Sequence, residues 1–244
     1  MAQQIGYGYG SEFQLMRFLG HHRDHLESEI SKFINETGQF HWFDFDFASP
    51  KNSISGDQEL LALSFLDPNN EKHKAALDDY HSYDINDIDK WQNWDAVFSL
   101  NGTIYLVEAK AYAKEIGDDK THGGKSGSVI LQFFKDKLPH LPVNDSWLKK
   151  YYQLANRLAI ASLLNQHGIP CKVLYIYFVN GYNTRIVASR KVREIPSKNQ
   201  NTSKEQFQEA IKQEMEALEL NEEMVKDLLA PAVYIDAEKK NSLF

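Results

Sequence analysis

Two apolar runs joined by a polar dipeptide stand in the middle of the chain, at residues 96–100 and 103–107. The joining pair, Asn101-Gly102, is typical of a type I′ turn, because both central residues of that turn need a positive φ. The pattern predicts a β-hairpin in which Leu100 pairs with Thr103. Both faces of this hairpin are apolar, which is typical of central strands that are covered on both sides.

Helical spacing appears on either side of the hairpin. Apolar residues recur at three- and four-residue steps over about 12–34 and predict one amphipathic helix. Ser11 and Gln14 have the spacing of a capping box at its start. A second helix is predicted over 147–161, and an apolar, β-rich strand follows at 172–179.

The order of these elements predicts an α/β fold with a central mixed sheet flanked by helices. We expect one domain over residues 1–244, with a core at about 11–180 and a first strand around 39–47. An acidic stretch at about 52–92 is interpreted as an insertion before the hairpin. Residues 203–230, rich in Glu, Lys and Leu, predict a C-terminal helical extension.

Composition excludes some classes of protein. Of the 244 residues 42% are hydrophobic, as in globular proteins, yet no apolar run reaches the roughly 18 residues of a membrane span. Residues 1–10 lack the features of a signal peptide, and Cys171 is the single cysteine, so we expect a cytoplasmic protein. The net charge of −7 argues against a general basic surface that coats DNA. Lysines and an arginine nevertheless concentrate between residues 110 and 157.

Charged side chains stand at the open end of the hairpin. The register places Asp95 opposite Glu108, with Cβ atoms about 5 Å apart, so a positive group is expected between the two carboxylates. Strand alternation puts Lys110 on the same face as Glu108. Paired carboxylates suit a hard divalent cation such as Mg²⁺. The alternative is that these residues form ordinary ion pairs, with Lys110 as one partner, at an exposed hairpin end.

Asp95, followed after a β-turn by Glu108-Ala109-Lys110, resembles the signature of the PD-(D/E)XK phosphodiesterase superfamily. This resemblance implies a restriction-endonuclease-like αβββαβ core. It implies that Asp95, Glu108 and the main-chain carbonyl of Ala109 hold Mg²⁺, with Mn²⁺ as a substitute, and that Lys110 orients or activates the attacking water. The proline that usually precedes the aspartate is Trp94 here.

The resemblance also suggests supporting residues on the two helices. Glu12, on the apolar stripe of the first helix, is matched to a third acid at the metal, with Glu27 and Glu29 as weaker candidates. Its alternative is a favourable acid in a first helical turn. Gln153 and Arg157, four residues apart on the second helix, are matched to polar residues that reach the site. Their alternative is that both are ordinary solvated side chains.

The sequence thus leads us to expect metal-dependent hydrolysis of phosphodiester bonds in nucleic acid, with DNA as the expected substrate. A homodimer would suit cleavage of both strands. One alternative is a nucleic-acid or protein binding module that keeps the fold without turnover. Another is hydrolysis of RNA or a different phosphate compound.

Overall fold

The computed structural model describes residues 10–43, 60–85, 92–117, 125–181, 186–188, 191–193 and 202–237. Its helices are α1 (Ser11–His21), α2 (Arg23–Ile34), α3 (Glu71–His81), α4 (Lys125–Lys137), α5 (Tyr152–Gln166), α6 (Lys204–Ala217) and α7 (Glu222–Val225). Its strands are β1 (His41–Trp42), β2 (Leu60–Leu61), β3 (Asn93–Trp94), β4 (Ala96–Leu100), β5 (Thr103–Lys110), β6 (Cys171–Val179), β7 (Ile186–Ala188), β8 (Lys191–Arg193) and β9 (Val233–Asp236).

The expected mixed α/β architecture is confirmed. A five-stranded sheet has the order β1-β4-β5-β6-β9, in which β4 is antiparallel to both of its neighbours, β1 and β5. The strands β5, β6 and β9 run parallel to one another. The pairs β2-β3 and β7-β8 form separate two-stranded sheets. The central strand of the large sheet is therefore β5, which carries the Glu-Ala-Lys segment.

The predicted hairpin register is confirmed. Leu100 pairs with Thr103, and the ladder continues to Ala96 opposite Val107. Asn101 and Gly102 both have positive φ, 50° and 82°, as the type I′ turn requires. The local turn chemistry therefore fixes which residues of β4 and β5 face each other.

Each face of the sheet has its own hydrophobic core. The face covered by α3, α4 and α5 buries Trp94 and Trp147 completely, and the face covered by α1 and α2 buries Leu26 and Ile30 completely. The acidic stretch that we interpreted as an insertion contributes to the first core, because its helix α3 buries Tyr80 there. Three of the acidic residues of this stretch, Glu71, Asp78 and Asp79, thus lie on a helix with one buried face.

The prediction of one helix over residues 12–34 is wrong, because two helices, α1 and α2, meet at His22 with φ −138° and ψ 33°. The prediction of a capping box at Ser11 and Gln14 is also wrong. Gly10 is the N-cap of α1, and Ser11 is its first helical residue. The Ser11 hydroxyl donates to Glu115 Oε1 at 3.2 Å instead, so a tertiary contact replaces the local cap.

The start of the second helix is also later than predicted. A 3₁₀ turn occupies Asp145–Leu148, and Tyr151 has a left-handed φ of 60°, so α5 begins only at Tyr152. The helices α6 and α7 lie within the predicted C-terminal extension, but β9, which follows them, was not predicted. Of the predicted first strand, β1 lies at 41–42, and residues 44–47 are outside the described residues.

No helix in the part of the chain that the structure describes is both long and apolar enough to cross a bilayer.

Candidate functional site

The site lies where β5 extends beyond the end of β4. The ladder between the two strands ends at Ala96–Val107, and Asp95 occupies the bend between β3 and β4. The Asp95 carboxylate turns toward the main chain of β5, where its Oδ2 accepts from the Ala109 N–H at 2.7 Å. The carboxylate thus satisfies a main-chain donor that β4 no longer reaches.

Glu108 projects from β5 into the face covered by α5, and its side chain is only 4% exposed. Its Oε1 accepts from Lys110 Nζ and from Gln153 Nε2, each at 2.7 Å. Lys110 Nζ also donates to Gln153 Oε1 at 2.7 Å. The three side chains therefore form a closed triangle of hydrogen bonds.

Arg157 holds the other oxygen of this carboxylate. Its Nε and Nη2 donate to Glu108 Oε2 at 3.2 and 3.0 Å. The same Nη2 donates to the main-chain oxygen of Asn93 at 2.7 Å. The guanidinium carbon lies 4.5 Å from the centre of the Trp94 ring, so the tryptophan supports the arginine. We call Glu108, Lys110, Gln153 and Arg157 the Glu108 cluster.

The charges in this cluster determine its protonation. Burial alone would raise the pKa of Glu108, but the positive charges of Lys110 and Arg157 outweigh burial and lower it. Burial would likewise lower the pKa of Lys110, but Glu108 and Asp95 raise it. Both members of the Glu108–Lys110 pair are therefore held in their charged forms.

The structure brings together most of the residues that the sequence singled out. Asp95, Glu108 and Lys110 meet at the end of β5, and both Gln153 and Arg157 bond to Glu108. The expectation of a solvated Arg157 is wrong, since its side chain is 7% exposed. Both the metal-site interpretation and the ion-pair interpretation expect Lys110 to contact Glu108, so this contact does not distinguish them.

The first-helix acids are placed differently. Glu12 lies half-buried in the first turn of α1, while Glu27 accepts from the Trp42 indole at 2.8 Å and Glu29 pairs with Lys32. Among the residues described, His, Cys, Asp and Glu side chains form no group of three or more that could hold a metal ion. A three-acid site with Glu12 therefore stays a prediction.

One acid beside the site was missed. Glu115 follows β5, and its Oε2 accepts from the main-chain N–H of Ala111 at 2.6 Å and of Tyr112 at 3.3 Å. Burial raises the pKa of Glu115, although these N–H groups and Lys110 oppose the shift. Glu115 thus connects the end of β5 to Ser11 on α1. No spacing rule reveals such a contact, since it depends on how the chain turns after the strand.

The basic residues between 110 and 157 divide into two groups. Lys137, like Lys110 and Arg157, is buried in an ion pair, in its case with Asp79 at 2.7 Å. Four others are exposed: Lys114, Lys135, Lys149 and Lys150. Lys120 and the side chain of Lys125 lie outside the described residues. The local excess of positive charge at the surface is thus smaller than the sequence indicates.

The donor chemistry at the end of β5 fits a hard divalent cation. The N–H and C=O of one strand residue point to the same side, so the Ala109 carbonyl lies on the side of Asp95. Two carboxylates and a main-chain carbonyl are the ligands that Mg²⁺ takes in proteins. However, an ionised carboxylate has about four acceptor positions, and four N–H groups already occupy those of Glu108. A cation bound by Glu108 must therefore take the place of one of these donors.

No family model, no curated protein and no solved structure matches this chain.

Proposed function

We propose that this protein is a metal-dependent nuclease that hydrolyses phosphodiester bonds in nucleic acid, in the first place DNA. The observation that carries the proposal is the meeting of Asp95, Glu108 and Lys110 at the end of β5, with Lys110 Nζ 2.7 Å from Glu108 Oε1. Burying charged side chains costs desolvation free energy even when they are paired, and a catalytic role would account for that cost at this strand end.

The element order supports a restriction-endonuclease-like core within this proposal. A helix, α1, precedes three antiparallel strands, β1, β4 and β5, and α5 then leads to β6, which is parallel to β5. With α2, β2, α3, β3 and α4 set aside as additions, this order agrees with the αβββαβ order that the resemblance to the PD-(D/E)XK superfamily implies. Asp95 lies just before β4 and Glu108 lies on β5, so the two acids stand at the same end of the hairpin.

In the proposed reaction, Lys110 positions the attacking water and donates to the phosphate, because its raised pKa keeps it an ammonium group. Gln153 fixes the direction of that ammonium group through its own oxygen. Asp95 and Glu108, with the Ala109 carbonyl, would hold Mg²⁺ or Mn²⁺. The cation, when bound, would lower the pKa of a bound water and stabilise charge on the phosphate.

A second candidate function is a nucleic-acid or protein binding module without turnover. The observation that favours it is the saturation of Glu108 by four N–H groups. The site needs no metal ion to offset its positive charges, since the carboxylates of Glu108 and of the neighbouring Asp95 offset those of Lys110 and Arg157. The net charge of −7 also agrees with a partner other than bulk duplex DNA.

The test is a cleavage assay with plasmid DNA, single-stranded DNA and RNA, each in Mg²⁺, in Mn²⁺ and in excess chelator. The variants are Asp95→Asn, which keeps the shape of the side chain, and Lys110→Met. Controls are Asp78→Asn and Lys149→Met, which change exposed residues of the same types.

We expect metal-dependent cleavage by the wild-type protein and both controls, and a loss of at least about 100-fold in each site variant, the range seen when a charge-stabilising or proton-transferring group is removed. Equal cleavage by Asp95→Asn and the wild-type protein refutes the assignment. Metal-independent binding of nucleic acid without cleavage supports the binding-module candidate. Cleavage of RNA alone changes the substrate class and keeps the site.

A further inference from the structure

The two oxygens of Glu108 are held by partners of very different rigidity. Arg157, on Oε2, is also anchored to the Asn93 carbonyl and stacked on Trp94, so it is fixed from three sides. On Oε1, the Lys110 ammonium group stands at the end of a flexible alkyl chain, and its hydrogen bonds described above go to Glu108 and Gln153. The Oε1 side is therefore the side of the carboxylate that can open.

The net charge of the site also indicates that a cation and a phosphate bind together. Asp95 and Glu108 contribute two negative charges, Lys110 and Arg157 contribute two positive charges, and Glu115, which interacts with Lys110, adds at most one negative charge. Adding a divalent cation alone therefore leaves an excess of at least one positive charge in a buried place, where repulsion is screened poorly. Adding a phosphate at the same time supplies negative charge. It also gives the Lys110 ammonium group an acceptor in place of Glu108 Oε1.

We propose that Lys110 and Gln153 close Glu108 against divalent cations in the resting protein, and that a phosphate-bearing strand opens it by drawing Lys110 away. Cation and nucleic acid then bind cooperatively at this site. By thermodynamic linkage, each raises the affinity of the other by the same factor. This inference rests on the proposed function, because it takes nucleic acid as the anion, and it adds an order of events to it.

Calorimetry tests the inference without turnover. Ca²⁺ is titrated into the wild-type protein alone and into the protein saturated with a short oligothymidylate. We expect Ca²⁺ to bind at least about tenfold more tightly when the oligonucleotide is present, a factor typical of linked sites. Equal Ca²⁺ affinity with and without bound oligonucleotide overturns the inference.

Two variants test the closing residues themselves. Lys110→Met removes the charged donor, and Gln153→Leu removes the neutral one and leaves the ion pairs of Glu108 in place. Both are expected to bind Ca²⁺ without oligonucleotide at least about tenfold more tightly than the wild-type protein. Lys149→Met, at an exposed lysine, is the matched control and should not change the affinity. Circular dichroism confirms that each variant is folded, and Gln153→Leu keeps the test decisive if Lys110→Met does not fold.

The outcomes separate this inference from the nuclease proposal. Tighter Ca²⁺ binding by both variants, together with no cleavage of any nucleic acid in Mg²⁺ by the wild-type protein, supports the closed state and refutes the nuclease. Cleavage in Mg²⁺ with Ca²⁺ affinities equal in all variants supports the nuclease and refutes the closed state. Absence of Ca²⁺ binding in every variant, with and without oligonucleotide, overturns the inference.

Discussion

Replacing Arg157 with methionine is expected to destabilise the protein far more than the loss of a surface ion pair. The side chain of Arg157 is 7% exposed, and that of Glu108 is 4% exposed. The change removes two hydrogen bonds to the carboxylate and one to the main-chain oxygen of Asn93. Breaking a buried pair in this way costs about 3–5 kcal/mol, because the remaining charge keeps its burial and loses its partner.

Lys110 and Gln153 stay bonded to Glu108 in this variant, so we expect the lower end of that range, about 3 kcal/mol. At roughly 2–4 °C for each kcal/mol in a domain of this size, the melting temperature should fall by about 6–12 °C. The free energy of unfolding is measured by urea unfolding and the melting temperature by thermal unfolding, each followed by circular dichroism. The matched control is Lys74→Met, whose ion pair with Asp78 is 62% and 63% exposed and should contribute no more than about 0.5 kcal/mol.

A double-mutant cycle makes the test stricter. In the background of Glu108→Gln, the carboxylate no longer carries a charge, so the further change Arg157→Met should cost less than it does in the wild-type protein. We expect an interaction free energy of about 2–3 kcal/mol between the two positions. An Arg157→Met cost below about 1 kcal/mol, or additive costs in the cycle, would show that the Glu108 cluster is not the buried, mutually dependent arrangement described above.

Two further predictions concern regions outside the cluster. At Gly117, φ is +87° and an added Cβ would lie 2.1 Å from the Tyr151 ring, so Gly117→Ala should lower the free energy of unfolding by at least about 1–3 kcal/mol. Gly20 has a helical backbone and open space around it, so Gly20→Ala should raise the free energy of unfolding by up to about 1 kcal/mol in the same urea assay. Burial would raise the pKa of Asp79, but the hydrogen bond with Lys137 helps to bring this pKa below its ordinary value. The ionised Asp79 therefore stabilises the fold above its unfolded pKa of about 4, and this stabilisation is lost as the pH falls through the lower folded pKa. Asp79→Asn should therefore flatten the dependence of the unfolding free energy on pH below about 4, and an unchanged pH dependence would contradict the role of this ion pair.

The hairpin could be predicted to the residue because its determinants are local. Asn101-Gly102 specifies the turn, the turn specifies the register, and the register places Asp95 and Glu108 at neighbouring strand ends. Helix periodicity likewise placed Gln153 and Arg157 on neighbouring positions of one helix, although only the fold shows that both reach Glu108.

Other features depend on contacts between distant parts of the chain. The break at His22 interrupts an apolar stripe that continues on both sides, so the spacing gives no sign of it. Ser11 has the sequence of an N-cap, but its hydroxyl is used by Glu115, more than a hundred residues away. The strand β9 has four residues, which is too short for a periodic pattern, and it is recognised only by its pairing with β6.

The position of β9 has a consequence for how the protein is made. The strand β6 is almost entirely apolar, and its second edge is covered by β9, which leaves the ribosome only after α6 and α7 have been synthesised. Until then, the nascent sheet presents an uncovered parallel edge of the kind that pairs with other chains. A chain shortened before residue 233 would keep that edge permanently, and such a fragment should aggregate even though every residue of the Glu108 cluster is present.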